Sequence, residues 1–387
     1  MVHVAPFSDV RITDLFIYWR DAGLLHAGVT PYSDAFPFEY PPLALVPIWL
    51  AKALGGAYMN TFALLMLACG VACVLLVGAL GGRRAAWAFA VTPLLAGSVL
   101  RTHYDLFAAA VLLAMLLAFA RRRPVLGMAL LGVGAMVKGF PLVLLPIAAA
   151  WTWRFIRGRT PFFHIRGRSV SLPPAVLGVA ACAAVVLVVS APFLGDGYID
   201  AYRFHLDRPI QIESTPAVVL YALGGSHVTG TTITGDAFNS NGLRGGAAGA
   251  VEPIFGLLAI ACIALLAWLA TLREDPEHLV LCLIAGVIAF VALGKVLSPQ
   301  YVAWLAPLAA VLFGLREYVA AALLAVGVLL TQFEFPFRYF DLVHGEDGAR
   351  LLVAARDLVL IAALGVLIAR AAAAARSLRP AVAAPPS

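Results

Sequence analysis

The chain consists mainly of long apolar runs joined by short polar turns. Eleven such runs, the candidate membrane spans, lie at 60–81, 86–100, 105–120, 124–137, 141–152, 174–194, 251–272, 278–294, 299–314, 317–332 and 351–370. A helix of about 20 residues crosses the hydrocarbon core of a bilayer. Only 12% of the residues are charged and 62% are hydrophobic, whereas a soluble domain carries about twice that share of charge. This excludes a soluble globular protein, a disordered chain and a disulfide scaffold, and predicts an all-α, polytopic transmembrane helix bundle.

The arginines predict how this bundle is oriented. They recur in alternate loops, at 83–84, 121–123, 154–168, 273, 316 and 370–379. Because basic loops stay on the cytoplasmic side, the remaining loops are predicted to face outward. Sixteen of the 21 acidic residues fall on that outer side. The arginine- and alanine-rich composition is typical of GC-rich bacteria, so we expect a multi-pass protein of the bacterial inner membrane with its reactive groups on the extracytoplasmic face.

The loops divide the chain into five segments. Predicted are an extracytoplasmic first loop with interfacial helices at 1–59, transmembrane helices at 60–194, a long extracytoplasmic loop at 195–250, transmembrane helices at 251–370 and a cytoplasmic tail at 371–387. In the first loop, residues 14–25 and the short apolar stretch Pro41–Leu54 suit helices that lie in the membrane interface. No apolar run precedes this loop, so either the N-terminus crosses the membrane unaided or, as we expect, a first span has been lost upstream of Met1.

The first loop holds a candidate general base. Asp14 lies one helical turn before Tyr18 in the amphipathic stretch, whose apolar side is predicted to carry Trp19. A carboxylate that is partly buried beside aromatic rings can have a raised pKa and accept a proton at neutral pH. The alternative is an ordinary helix N-cap. Further along, paired prolines form a normal helix entry, which does not explain Glu39 and Tyr40 at the membrane surface.

Three outer turns carry further ionisable groups. The first turn contains Arg101, His103 and Asp105, the second Lys138, and the third Lys295, Ser298 and Gln300. The chain has only three lysines, and two of them lie in these equivalent turns, which indicates an anionic ligand at that level. The alternative for Lys138 is a lysine that only extends to the membrane surface.

The long outer loop adds two arginines and a histidine beside aromatic residues, at Arg203, His205 and Arg208. Arginine binds phosphate with two parallel hydrogen bonds, so this stretch could clamp a phosphate; the alternative is a solvated loop. The sequence has no nucleotide-binding motif, no Asp-x-Asp metal pair and no cysteine spacing typical of a metal site. We therefore expect no metal, no cofactor and no nucleic-acid partner, and a donor that is delivered within the lipid.

In their order and shared outer side, these motifs resemble glycosyltransferase family 87. The residues that carry the resemblance are Asp14 with Tyr18, Gly28, Pro31-Tyr32, Tyr40-Pro41-Pro42, the turn at 101–105, Lys138-Gly139-Phe140-Pro141, the stretch 205–214 and the turn at 295–301. The resemblance implies a membrane enzyme of the GT-C class, similar to mannosyltransferases that use a polyprenyl-phosphate sugar. Its implied partners are that donor, a lipid or glycan acceptor and the membrane lipids.

The resemblance also implies roles for individual residues. Asp14 matches the catalytic base, with Asp9 as a second candidate. The long outer loop of GT-C enzymes follows a seventh span, and here it follows the sixth, which agrees with a lost first span. Expected ligands of the donor phosphate are Arg203, His205, Arg208, Lys295 and Lys138. Expected substrate-binding residues are Tyr18, Glu39, Tyr40, Arg101, His103, Asp105, Ser298 and Gln300.

Three other functions stay open at this point. A secondary transporter places its ionisable groups at mid-span, whereas here Asp357 is the one acid expected inside a span. A GT-C transferase of another sugar, such as arabinofuranose or glucose, would share the same pattern. A structural or assembly protein with a degenerate site is the third alternative.

Overall fold

The computed structural model describes residues 13–157, 160–165, 168–224, 227–229, 241–244 and 247–376, with backbone alone at 160–165, 168–170, 227–229 and 375–376. Asp9, most of the stretch 225–240 and the tail beyond 376 lie outside the described residues. The α-helices are α1 Leu15–His26, α2 Leu45–Ala53, α3 Tyr58–Ala90, α4 Pro93–Ala96, α5 Val99–Thr102, α6 Asp105–Ala120, α7 Pro124–Lys138, α8 Leu145–Phe155, α9 Pro174–Ser190, α10 Asp196–Asp207, α11 Thr215–Leu223, α12 Ala248–Ala270, α13 Pro276–Leu293, α14 Val302–Gly314, α15 Tyr318–Glu334, α16 Tyr339–Val343 and α17 Asp347–Arg376.

Short 3-10 helices and strands complete the described chain. The 3-10 helices are Pro42–Ala44, Phe140–Leu144, Ala191–Phe193 and Pro299–Tyr301, and the strands are β1 Thr160–Ile165, β2 Arg168–Leu172, β3 Ile210–Gln211, β4 His227–Thr229 and β5 Gly242–Arg244. β1 and β2 form an antiparallel pair, and β3, β5 and β4 form a small antiparallel sheet in that order. Helices dominate the described residues, which confirms the predicted all-α membrane bundle. The two small sheets were not predicted.

Five described helices are long and apolar enough to cross a membrane: Tyr58–Ala90, Pro174–Phe193, Ala248–Ala270, Pro276–Leu293 and Asp347–Ala374. Five more of the predicted spans form apolar helices of 10–17 residues: Asp105–Ala120, Pro124–Lys138, Phe140–Phe155, Pro299–Gly314 and Tyr318–Glu334. The shorter set includes helices of the bundle interior, such as α6 and α14, most of whose residues are buried.

One predicted span, 86–100, is wrong as a single helix. The helix α3 bends at Gly82, whose φ of 80° is a conformation that L side chains rarely adopt. The chain then passes through the short helices α4 and α5, which are separated by Gly97 at a φ of 60°. Pro93 begins α4, so proline and glycine interrupt the helix on its way back to the outer turns.

The first loop contains the predicted helices α1 and α2, but the orientation of α1 differs from the prediction. Tyr18 and Asp21, polar residues of the amphipathic stretch, are buried, whereas Trp19 of the predicted apolar side and its neighbour Phe16 are 54% and 61% exposed. In a membrane the surroundings are apolar, so aromatic side chains can face lipid at the interface while polar groups turn inward. The exposed Trp49 of α2 fits the same interfacial placement.

The two ends of the bundle differ in charge. At one end, here called the arginine end, Arg122 pairs with Glu274 at 2.9 Å and Arg370 with Glu317 at 2.8 Å. Close to this end α3 meets α14 so tightly that a Cβ atom on Gly314 would collide with the carbonyl oxygen of Gly81. The loops predicted to face outward converge at the opposite end, here called the cavity end.

The cavity end has a small hydrophobic core of its own. It consists of Ile210, Ile212, Ala217, Leu220, Leu243, Ala248, Val251, Leu342, Ala349 and Val353. β3 pairs with β5 through Ile210 and Leu243, and the backbone N–H of Gln211 donates to the carbonyl of Lys295. These contacts fix the segment 208–214 against the third outer turn, which positions its polar side chains.

Candidate active site

A cavity of about 700 Å³ lies among the outer turns. Its polar lining comes from Asp14, Glu39, His103, Lys138, Tyr202, His205, Arg208, Gln211, Glu213, Lys295, Ser298 and Gln300, and its aromatic lining from Tyr40, Phe140, Phe290, Tyr301, Trp304, Phe335 and Tyr339. A mostly apolar cavity with a few convergent polar groups is typical of a small-molecule site. The structure therefore brings most of the predicted site residues together, although they come from distant parts of the chain.

Asp14 is the partly accessible carboxylate of this cavity. Its side chain is 27% exposed. It occupies the N-cap position of α1 but makes no capping hydrogen bond, and the hydroxyl of Thr13 instead accepts from the N–H of Leu15 at 3.2 Å. Tyr18 donates its hydroxyl to Oδ2 of Asp14 at 3.2 Å. The N-cap alternative therefore does not account for where this carboxylate points.

The ring of His103 lies next to the carboxylate of Asp14 and can take a proton from it. Nε2 of His103 lies 3.4 Å from Oδ2 of Asp14, and the ring is buried. The hydroxyl of Thr102 donates to the carbonyl of Ser98 at 3.1 Å, so its oxygen accepts from Nδ1 of His103 at 2.9 Å. This hydrogen bond places the ring proton on Nδ1 and leaves a lone pair on Nε2, facing Asp14.

Lys138 is held among aromatic rings beside the cavity. Its Nζ lies 4.7 Å from the ring centre of Tyr104 and 5.6 Å from that of Trp304. Trp304 in turn stacks on Phe140 at 3.9 Å and on Tyr301 at 4.1 Å between ring centres. The stacked rings form a flat apolar wall, which suits the apolar face of a sugar or an isoprenoid chain.

The roles predicted for Lys138 and Asp105 need correction. Nζ of Lys138 donates to both oxygens of Asp105 at 2.7 Å, and the Asp105 carboxylate is fully buried. Both oxygens of Asp105 accept from Lys138, and Asp105 is absent from the cavity lining, so the structure does not place it for the predicted substrate contact. Lys138 contributes little net charge to the cavity because Asp105 neutralises it.

This ion pair should stabilise the outer end of the bundle. We expect Lys138→Met to lower the free energy of unfolding by about 3–5 kcal/mol, because a buried carboxylate would be left without its partner. The double variant with Asp105→Leu should recover most of that loss. The measurement is a double-mutant cycle from thermal unfolding in detergent; purely additive losses would show that the pair is not coupled.

Besides Lys138, three predicted phosphate ligands line the cavity, and their charge states differ. Arg208 and Lys295 are among the lining residues. Nζ of Lys295 also donates to Glu252 at 2.7 Å and to the carbonyl of Leu206 at 2.6 Å, so its charge is partly compensated. Desolvation and the nearby charge of Arg208 lower the pKa of His205, so its ring is neutral at pH 7. Arg208 is the strongest candidate for a phosphate contact because it lines the cavity with a guanidinium, which can bind two phosphate oxygens at once.

His205 has a structural role that the sequence did not predict. Its Nε2 donates to the carbonyl of Glu39 at 2.7 Å, which ties α10 to the first loop. Because that nitrogen is already bonded and the ring is neutral, its predicted role as a charged phosphate ligand is corrected to a tether between two walls of the cavity.

Four predicted residues lie outside the lining. Arg203 is exposed and pairs with Asp200 one turn before it in α10 at 2.9 Å, because the helix turns its side chain away. Tyr18 is buried beneath Asp14 and reaches the site only through the Asp14 carboxylate. Arg101, in α5, and Asp105 are also absent from the lining, whereas Glu39, Tyr40, His103, Ser298 and Gln300 belong to it.

A buried charged cluster next to the cavity was missed in the sequence. Glu213, Glu334, Arg356 and Asp357 are all essentially inaccessible to solvent. Nε of Arg356 donates to Asp357 at 2.9 Å, its Nη1 lies 3.6 Å from Glu334, and its Nη2 donates to the carbonyl of Glu213. Asp357 was expected to be the one acid inside a span. In the structure it shares the bundle interior with Arg356. The sequence signal for this cluster was the adjacent pair Arg356 and Asp357 within an apolar run.

The arrangement combines groups for proton removal and for binding an anion. Asp14, backed by His103, can accept a proton, while Arg208 and Lys295 can neutralise developing negative charge. The aromatic wall offers apolar contacts in the same cavity.

Among the described residues, no group of three or more metal-ligating side chains is found. No protein family, curated protein or solved structure matches this chain.

Proposed function

We propose that this protein is a membrane glycosyltransferase of the GT-C class, which moves a sugar from a polyprenyl-phosphate donor to a hydroxyl of a lipid or glycan acceptor. The observation that carries the proposal is one cavity shared by Asp14, the cations Arg208 and Lys295 and a wall of stacked aromatic rings. The resemblance of the outer motifs to glycosyltransferase family 87 supports mannose as the sugar.

The charge pattern fits a donor whose leaving group is a lipid phosphate. Breaking the bond between sugar and phosphate increases the negative charge on the phosphate oxygens, and preplaced cations stabilise that change most. Arg208 suits this role because a guanidinium binds two phosphate oxygens at once. The exposed apolar side chains of the long helices, such as Leu75 and Leu257, are consistent with a bundle surrounded by lipid, where such a donor is dissolved.

The mechanism is a single displacement that inverts the anomeric carbon. Asp14 accepts the proton of the acceptor hydroxyl, whose oxygen attacks the anomeric carbon as the phosphate leaves. Among the described residues, the polar contacts of Asp14 fall on Oδ2, which leaves Oδ1 for the acceptor. His103 then receives the proton through Nε2. The arginine end faces the cytoplasm and the cavity end faces outward, in a bacterial inner membrane.

The experiment that tests the proposal is transfer by the purified protein in vesicles. Radiolabelled polyprenyl-phosphate mannose, arabinofuranose and glucose are supplied separately with membrane-lipid acceptors. We expect a labelled glycolipid product with at least one donor, formed only when donor and cavity end share the same side of the vesicle. Absence of product with every donor and acceptor would refute the transferase.

A matched pair of arginines tests the phosphate site. Both Arg208 and Arg203 were predicted to bind phosphate, but only Arg208 lines the cavity. We expect Arg208→Ala to lower kcat/KM by about 100- to 1,000-fold, the usual cost of losing one group that stabilises developing charge. Arg203→Ala should stay close to wild type. Equal losses in both variants would contradict the assignment.

A proton-coupled transporter is the second candidate, and the buried cluster favours it. Ionisable groups such as Arg356 and Asp357 within a spanning helix are common along ion pathways. Asp357 was the one acid expected inside a span, and the structure adds Arg356 and Glu334 beside it. Solute uptake that requires a proton gradient, together with no sugar transfer, would decide for the transporter.

A further inference from the structure

Glu213 is a buried acid that belongs to the wall of the cavity. Its side chain is about 1% exposed, yet the residue lines the cavity together with Arg208, Gln211 and Ser298. One carboxylate oxygen, Oε2, accepts from the side-chain amide of Gln211 at 2.7 Å. The other, Oε1, accepts from no N–H or hydroxyl group among the described residues, and the carboxyl of Glu334 lies within hydrogen-bonding reach of the Glu213 side chain. A buried polar atom without a partner is costly unless a ligand or a proton satisfies it.

The neighbouring charges do not compensate this carboxylate. Glu213, Glu334 and Asp357 surround one guanidinium, that of Arg356, so the fully ionised cluster would carry an excess of two negative charges out of water. Burial of unpaired charge is expensive, and such groups take up a proton instead. Burial and the charge of Glu334 raise the pKa of Glu213 well above its usual range, against the opposing charge of Arg356.

The groups around Glu213 decide which acid holds the proton. The charged ones are Glu334, Arg356 and Asp357 in the cluster and Arg208 at the cavity; the phenols that face it are Tyr221, Tyr301 and Tyr339. Asp357 accepts directly from Arg356 at 2.9 Å, so it is the best compensated of the three acids. Glu213 receives only a neutral amide donor and reaches the Glu334 carboxyl, so a proton is best placed on this pair, and Glu213 is the member of the pair that lines the cavity.

We propose that Glu213 faces the cavity as a neutral carboxylic acid and gives its proton to the phosphate that leaves the sugar. The role rests on the proposed transferase function. In the reaction the bond between anomeric carbon and phosphate oxygen breaks, the acceptor oxygen forms the new bond, and its proton goes to Asp14. The proton of Glu213 goes to the phosphate, which departs as a monoanion. Asp14 passes its proton to Nε2 of His103; water then removes it from His103 and returns one to Glu213.

An acid that donates a proton beside Arg208 and Lys295 would reduce the negative charge of the leaving phosphate. A phosphate monoester binds its second proton near pH 6, so at neutral pH it leaves as a dianion unless a proton is supplied. Two cations lower the cost of that charge, but Lys295 is already paired with Glu252. A neutral acid at the same wall removes one charge without bringing in a further cation.

The test measures both the proton and the reaction. Infrared difference spectra in light and heavy water report a protonated carboxylic acid, and transfer from polyprenyl-phosphate mannose is followed over pH in wild type, Glu213→Gln and Glu334→Gln. In wild type, kcat should fall as the pH rises through the pKa of Glu213. In Glu213→Gln the carboxylic-acid band should be lost, kcat should drop by about 100-fold or more, and the alkaline fall should vanish with donor KM nearly unchanged.

Glu334→Gln keeps the proposal testable should Glu213→Gln fold poorly. Removal of the Glu334 charge lowers the pKa of Glu213, so the alkaline fall should move to lower pH. Wild-type kcat and pH profile in Glu213→Gln, or an unchanged infrared spectrum, would overturn the role of Glu213. Absence of transfer in wild type with every donor would refute the transferase itself, and proton donation with it, while the spectrum alone would still report the proton on Glu213.

Discussion

Asp14→Asn should abolish sugar transfer while the protein stays folded. The amide has nearly the same shape and keeps the hydrogen bond from Tyr18, but it cannot accept the proton of the acceptor hydroxyl. We expect kcat to fall by about 100- to 10,000-fold, the range for loss of a general base. Donor binding should change little, because the cations that bind phosphate come from other segments.

The matched control for this variant is Asp34→Asn in the same first loop. Asp34 is exposed and lies outside the cavity lining, so its variant should transfer sugar at the wild-type rate. Initial rates and donor affinity are measured on the same vesicle preparations. Near wild-type transfer by Asp14→Asn would remove Asp14 as the base, and Glu39 would then be the other acid to examine in that wall.

Arg356→Met should cause a large loss of stability. Arg356 is fully buried, contacts Glu334 and Asp357 and donates to the carbonyl of Glu213. Without the guanidinium, acids in the bundle interior lose their one compensating charge, which costs about 3–5 kcal/mol. We expect a large drop in the melting temperature in detergent, and loss of activity in the same samples.

Two further variants separate this effect from an ordinary ion pair. Arg122→Ala removes the pair with Glu274, whose side chains are 47% and 60% exposed, and should change the stability by about 0–1 kcal/mol. Combining Arg356→Met with Glu334→Leu and Asp357→Leu should restore much of the stability, since apolar replacements of a buried cluster are often tolerated. A mild effect of Arg356→Met alone would contradict the account of the cluster.

The sequence predicted the bundle and the grouping of the outer turns, because both follow from patterns along the chain. Apolar runs reveal helices, and alternating arginines separate the loops into two sets. The cavity indeed collects Asp14, His103, Lys138, His205 and Lys295 from the same set of loops.

Pairing between side chains could not be predicted from the same patterns. Nothing in the sequence shows that Lys138 is occupied by Asp105, or that His205 is bonded to a backbone carbonyl. Such contacts depend on how helices distant in sequence pack against one another. The interruption of the span 86–100 was visible as Pro93 and Gly97, but its apolar composition outweighed them.

The close approach of Gly81 and Gly314 helps to determine how far the cavity lies from the arginine end. This contact places Gly81 of α3 and Gly314 of α14 at the same level, close to the arginine end. From there α3 rises about 36 Å to Tyr58, whereas α14 with its preceding 3-10 turn rises about 26 Å. Measured along the helices, the cavity wall at Pro299–Tyr301 therefore lies roughly 10 Å closer to the Gly81–Gly314 contact than the first residue of α3 does. A lipid-borne phosphate can meet the site while remaining in its own leaflet, whereas a water-soluble sugar nucleotide would have to leave the aqueous phase to reach it.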